Sequence, residues 1–170
     1  MKTLFTIGYE GSSPADLFGS LRRSGVKLLI DVRDVPISRK RGFSKTALSE
    51  GLNGAGIRYL HLKGLGDPKP GRVAAREGRF ADFRRIFAAH MKTTTAQQAL
   101  TEAVVAASKS VACLLCFEQN HINCHRCMVA ESMAQGAKFQ LVHLNAAQLI
   151  TSNTSRGRFS SNDRTLAHLG

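Results

Sequence analysis

The run from Val26 to Val32 most constrains what this chain can become. It is nearly all apolar, with Lys27 at its start, and it stops at Asp31-Val32-Arg33. A strand with one wet face alternates apolar and polar residues, whereas an apolar run of this length suits a strand covered on both faces. Thr3 to Gly8, Ile57 to Leu62, Ser110 to Cys116 and Lys138 to Leu144 read as four further short strands. Helical segments separate them. Ser13-Pro14-Ala15-Asp16 opens one: Ser13 can cap, Pro14 suits the first helical position, and Asp16 favours the positive end of the helix dipole. Leu17, Phe18 and Leu21 form its apolar stripe, and Gly25 ends it. Ser44 can cap a second helix carrying Leu48 and Leu52. A third holds Phe80, Phe83, Ile86, Phe87 and Met91. Two more run from about Thr95 to Ala107 and from about Cys124 to Gln135. Alternating strand and helix predicts an α/β fold: a single domain with a mostly parallel sheet of about five strands and helices on both faces.

A length of 170 residues suits one domain with one core. Residues 1–150 are assigned to that domain. Residues 151–170, rich in Ser, Asn and Arg, are expected to form a polar, flexible tail. Lys63 to Gly78 reads as a long Gly/Pro-rich loop, a length that points to a functional or mobile segment. Met1 to Gly8 reads as a strand rather than a secretory signal, and no run approaches the roughly 18 apolar residues of a membrane span. The four Cys fall between 113 and 127 instead of being spread as in a disulfide scaffold. The chain is therefore expected in the cytoplasm, with no membrane partner.

Lys and Arg number 24 against 12 Asp and Glu, a formal charge of +12. This favours an anionic partner, either a small molecule such as a nucleotide or phosphorylated metabolite, or nucleic acid. A basic surface kept for solubility is the plainer alternative. The charge concentrates in Arg39 to Lys45 and Arg58 to Lys92. Phe80, Phe83 and Phe87 sit at helical spacing and read as core. Tyr9 and Phe43, placed in loops, are the better candidates for stacking on a base.

In open α/β sheets ligands bind beyond the carboxyl ends of the strands. Those ends carry Tyr9 and Glu10, then Asp31 and Arg33, then His61, then Cys116 and Glu118, then His143 and Asn145. Asp31 and Arg33 flank Val32 and so share a face, as an ion pair or as an oriented anion donor. The string Cys113 to Cys127 is formally C-x2-C-x7-C-x2-C. Cys113 and Cys116 lie three apart on a strand and so face opposite ways, which leaves Cys113 as a core residue. Cys127, in the first helical turn, can also pack inward. Three readings of Cys116 and Cys124 stay open. One is a thiol site, with Cys124 activated at a helix N-terminus beside His125 and Arg126. A second is zinc held by Cys116, Cys124 and a His. The third is inert packing. In the enzyme reading, Cys116 or Cys124 is the nucleophile and His61, Glu118 and Asp31 carry protons. Tyr9, Arg33, Ser38, Arg39, His125 and Arg126 bind substrate. A module that binds nucleic acid without catalysis and a zinc- or redox-dependent structural protein are the rival functions.

Several strings together give the chain a family likeness. They are Thr6-Ile7-Gly8, Asp31-Val32-Arg33 with Pro36 and Ser38-Arg39, Gly42-Phe43-Ser44-Lys45, Gly56 to Leu62 with Leu65-Gly66, and Cys116-Phe117-Glu118 with Cys124-His125-Arg126. With these, the chain resembles DUF488 proteins over about residues 3–145. The resemblance implies functional weight at Asp31, Arg33, Ser38, Arg39, His61, Cys116, Glu118, Cys124, His125 and Arg126. Cys113 and Cys127 stand outside the family pattern. The resemblance implies an α/β fold and a site, and no reaction.

Overall fold

A computed structural model describes residues 1–146. The predicted tail, 151–170, lies outside the described residues. Five strands form one sheet: β1 (Lys2–Gly8), β2 (Leu28–Asp31), β3 (Arg58–His61), β4 (Ala112–Cys116) and β5 (Phe139–Asn145). Their order is β3-β2-β4-β1-β5, and every pair is parallel. Six helices connect them: α1 (Pro14–Arg23), α2 (Lys45–Gly54), α3 (Lys69–Arg76), α4 (Phe80–Met91), α5 (Thr94–Lys109) and α6 (His125–Gly136). Among the described residues no helix is long and apolar enough to cross a membrane.

Strand alternation divides the core. Leu28, Ile30, Ala112, Leu114 and Cys116 pack with residues of α3, α4, α5 and α6, among them Ala74, Phe87, Ala103 and Met133. Leu29, Cys113 and Leu115 face the other way, against Leu17, Leu21, Leu48 and Leu52 of α1 and α2. Cys113 and Cys116 therefore lie on opposite faces of the sheet, as their spacing requires. The chain leaves β2 toward α2 on one face and β4 toward α6 on the other. A crevice opens where these exits diverge.

Local signals behave unevenly. Ser13 and Asp16 close a capping box at α1, each side chain accepting from the other's backbone N–H at 3.1 Å. Ser44 occupies the N-cap position of α2 without capping it. Its hydroxyl instead accepts from Ser38 N–H at 3.0 Å and donates to the Ser38 carbonyl. The segment expected to be one long loop contains a 3-10 turn at Lys63–Leu65 and the whole of α3. Pro70 and Gly71 read as helix breakers, yet both sit in the first turn of α3. There the missing proline N–H has no intrahelical partner to lose. Gly71 is needed for a different reason: a Cβ there would lie 2.0 Å from Asp67 Oδ1.

Candidate functional site

The crevice is a cavity of about 970 Å³. Tyr9 after β1, Arg33 to Lys40 after β2, and Cys116 to Glu118 after β4 line one side. Asp67 and α3, with Phe80 and Phe83 of α4, line the other, and Asn123 and His125 close it. Of the residues singled out from sequence, Tyr9, Arg33, Ser38, Arg39, Cys116, Glu118 and His125 line it. Asp31, His61, Cys124 and Arg126 do not.

Asp31 is fully buried beneath the wall. Its carboxylate accepts from Arg33 Nε at 2.9 Å and Arg33 Nη2 at 2.7 Å, and from the Tyr59 hydroxyl at 2.6 Å. Arg33 Nη1 donates to the Phe43 carbonyl at 2.7 Å and to the Tyr9 hydroxyl at 3.3 Å. Burial works against the Arg33 charge, but Asp31 outweighs it and holds the guanidinium above its ordinary pKa. His61 Nε2 meets the Arg33 carbonyl at 2.8 Å. Asp31 and His61 thus hold the Arg33 segment, and neither lines the cavity. Tyr9 and Phe43, expected to stack on a base, stack on each other, with centroids 4.5 Å apart. Phe43 is wholly buried, and Tyr9 offers the cavity only a small surface.

Arg126 is the largest fully buried side chain. Its guanidinium donates to the carbonyls of Glu118 and of Gln119, the latter at 3.1 Å, and to Thr6 Oγ1 at 3.3 Å. It holds the loop after β4 and does not line the cavity. The same loop closes over Gly8, where a Cβ would lie 1.8 Å from the Glu118 carbonyl oxygen. Gln119 N–H also donates to Glu10 at 2.9 Å. Glu118 is therefore presented by a fixed backbone.

The reactive groups meet at the cavity end between β4 and α6. Cys116 Sγ lies 3.4 Å from Glu118 Oε2 and 3.6 Å from His125 Nδ1. His125 Nε2 is 2.7 Å from the Val32 carbonyl, which fixes the ring. Cys124 occupies the N-cap position of α6, 1% exposed and behind Cys116. The expectation that the helix end would lower the Cys124 thiol pKa fails here: burial and the neighbouring Cys116 push it well above its ordinary value. Contact with Cys124 pulls the Cys116 thiol down, yet burial and the Glu118 charge leave it raised. Burial opposes the His125 charge. Its contacts with Cys124 and the Val32 carbonyl prevail and raise it to about 9. The ligand atoms of Cys116, Cys124 and His125 all lie within 4.8 Å of one another.

Sequence reading missed the opposite wall. Asp67 is 4% exposed, and its Oδ1 has no hydrogen-bond partner. Burial pushes its carboxyl up to about 6, against the pull of His125 and Arg72. Arg72 pairs with Asp34 at 2.6 Å and also donates to the Asp67 carbonyl. Arg39, Lys40, Lys69 and Arg76 line the cavity with no carboxylate in ion-pair range among the described residues. Val35, Ile37 and Phe117 add exposed apolar surface to the mouth. One signal for α3 was present in the sequence: Lys69, Arg72 and Arg76 recur at helical spacing.

The family model described as domain of unknown function DUF488 matches residues 13–133. No curated protein and no solved structure matches the chain.

Proposed function

The chain belongs to the DUF488 family, which brings no reaction with it, and from the geometry of the cavity we propose that it is a thiol-dependent enzyme acting on an anionic small molecule with an apolar body. A nucleotide has this chemistry. The observation that carries the reading is the position of Cys116. It is the one thiol on the cavity wall, within reach of Glu118 and His125, and it shares that cavity with cations that have no carboxylate in ion-pair range among the described residues. Arg39, Lys40, Lys69 and Arg76 hold the anion, while Phe80, Phe83 and Phe117 receive its apolar part. Cys116 passes its proton to Glu118, and its sulfur bonds to an electrophilic centre of the substrate as the bond from that centre to a leaving group breaks, the leaving group taking its proton from Asp67. His125 presents Nδ1 to Cys116 Sγ at 3.6 Å, and its raised pKa suits it to stabilise the thiolate. Asp67 is protonated over part of the physiological range and serves as the proton donor on the far wall.

Alkylation tests this without knowledge of the substrate. The basic wall should raise the rate of Cys116 with iodoacetate over that with iodoacetamide, by roughly tenfold relative to a free thiol at low salt. Salt should erase the preference, and inorganic pyrophosphate should protect the thiol. Protection should weaken in Arg39→Ala and Arg76→Ala. A folded protein whose Cys116 resists both reagents, or whose protection ignores those arginines, would refute the reading.

The clustering of three soft ligands favours one alternative. With His125 Nε2 held by the Val32 carbonyl, Nδ1 faces both thiols, a Cys2His arrangement opening onto the cavity. Native mass spectrometry of reduced protein separates the two. Zinc lost in Cys124→Ser supports the metal centre, and a metal-free wild type with an alkylatable Cys116 supports the thiol.

A further inference from the structure

We propose that His121, Cys127 and His143, completed by Glu131, form a second site that takes one transition-metal ion of the zinc class and clamps the loop joining Cys116 to Cys124. None of the four lines the cavity. The site is separate from the proposed catalytic cluster and stands whether or not that reading holds.

Three elements meet there. His121 lies on the 3-10 turn His121–Asn123, Cys127 in the first turn of α6, and His143 on β5. Their ligand atoms all lie within 4.8 Å of one another. Cys127 is the only one of the four thiols that is not buried. Its Sγ is 3.4 Å from Oε1 of Glu131, one turn further along α6. A thiolate, two imidazoles and a carboxylate are a donor set that zinc accepts in tetrahedral geometry. The charges also agree: a thiolate beside a carboxylate is unfavourable, and a divalent ion cancels both.

His143 already has the outer contact a metal-bound imidazole requires. Its Nδ1 is 2.7 Å from Thr6 Oγ1, so Nε2 can serve as ligand while Thr6 fixes the ring. His121 stacks on it, centroids 3.7 Å apart and planes 6° from parallel. Two parallel rings cannot both aim a lone pair at one ion, so His121 turns out of the stack on binding. It is half-buried between exposed Asn120 and Ile122, and the turn disturbs little packing. The clamp ties to β5 and α6 the loop that carries Glu118 and Asn123 to the cavity.

Site-resolved alkylation by iodoacetamide, on full-length protein freed of metal by a chelator and kept reduced, provides the test. Zinc should slow Cys127 alkylation by roughly tenfold or more. His143→Ala should return the rate to the metal-free value. His121→Ala, on a loop, provides the same reading if His143→Ala does not fold. No effect of zinc on Cys127 in the wild type, or protection that survives loss of the histidine in a folded variant, overturns the proposal. Zinc bound at Cys116 and Cys124 would appear in the rates of those thiols in the same spectra, so the two sites are scored independently.

Discussion

Two buried aspartates, Asp31 beneath one wall of the cavity and Asp67 on the opposite wall, have opposite fates. Asp31 is fully buried, and Arg33 and Tyr59 donate to both of its oxygens. Asp67 is almost as buried, but its Oδ1 has no partner. A buried carboxylate with matched donors is a structural element, since its desolvation is offset by short, aligned hydrogen bonds. A buried carboxyl with an orphan oxygen weakens the fold unless something binds it. Sequence reading gave Asp31 a proton-carrying role and passed over Asp67. The hydrogen bonding engages both oxygens of Asp31 and leaves Asp67 Oδ1 open.

The largest effect is expected at Asp31. Asp31→Ala leaves the Arg33 guanidinium buried with only the Phe43 carbonyl and the Tyr9 hydroxyl as acceptors. Removing one partner of a buried ion pair costs about 3–5 kcal/mol. The denaturation midpoint should fall accordingly at pH 7, and a fall within the range of surface substitutions would show that Asp31 is not structural.

Asp67→Asn should move stability the other way. The folded carboxyl titrates near 6, above its ordinary 3.8. A raised value means the native state holds the proton more tightly than the unfolded chain. The stabilisation this gives is complete below about pH 3.8 and is lost as pH rises through 6. A neutral amide at this position avoids that loss. Asp67→Asn should therefore gain about 1–2 kcal/mol relative to wild type at pH 8, after screening by solvent, and nothing near pH 3.5. Urea melts at the two pH values measure the difference. An equal effect at both would detach the change from titration. If Asp67 supplies a proton to substrate, the stabilised variant should also lose turnover.

The sheet was legible because its evidence is local and periodic. Apolar runs marked the buried strands, and the spacing of Cys113 and Cys116 placed them on opposite faces. The site was legible only as far as strand ends reveal it. Cys116, Glu118 and His125 converge as expected, since a parallel sheet brings its carboxyl ends together. Arg126 has the chemistry of an anion donor and the position of one, at the start of a helix. Its acceptors are backbone carbonyls and a threonine hydroxyl, groups that leave no distinctive trace in sequence. Asp67 and α3 were hidden for a related reason. Pro70 and Gly71 signal a break anywhere except the first turn of a helix, and Gly71 is there to make room for a carboxylate that only the folded chain brings near.

The smaller loss is expected at Tyr59, whose hydroxyl donates to Asp31 Oδ2 at 2.6 Å. Burial and Asp31 together hold the phenol above its ordinary pKa, so it remains a donor at any pH where the protein is used. Tyr59→Phe keeps the ring and removes that one donor. Arg33 Nη2 still reaches the same oxygen, at 2.7 Å, so the carboxylate is weakened rather than orphaned. The loss should be about 1–2 kcal/mol, the order of one hydrogen bond to a carboxylate, and below that of Asp31→Ala, which leaves a buried charge without its partner. Matched urea melts of the single and double variants decide it. If Tyr59→Phe adds nothing on top of Asp31→Ala, the phenol acts through Asp31, and the network at the end of β2 is one unit. Full additivity would make Tyr59 an independent packing residue and remove it from the pairing that distinguishes Asp31 from Asp67.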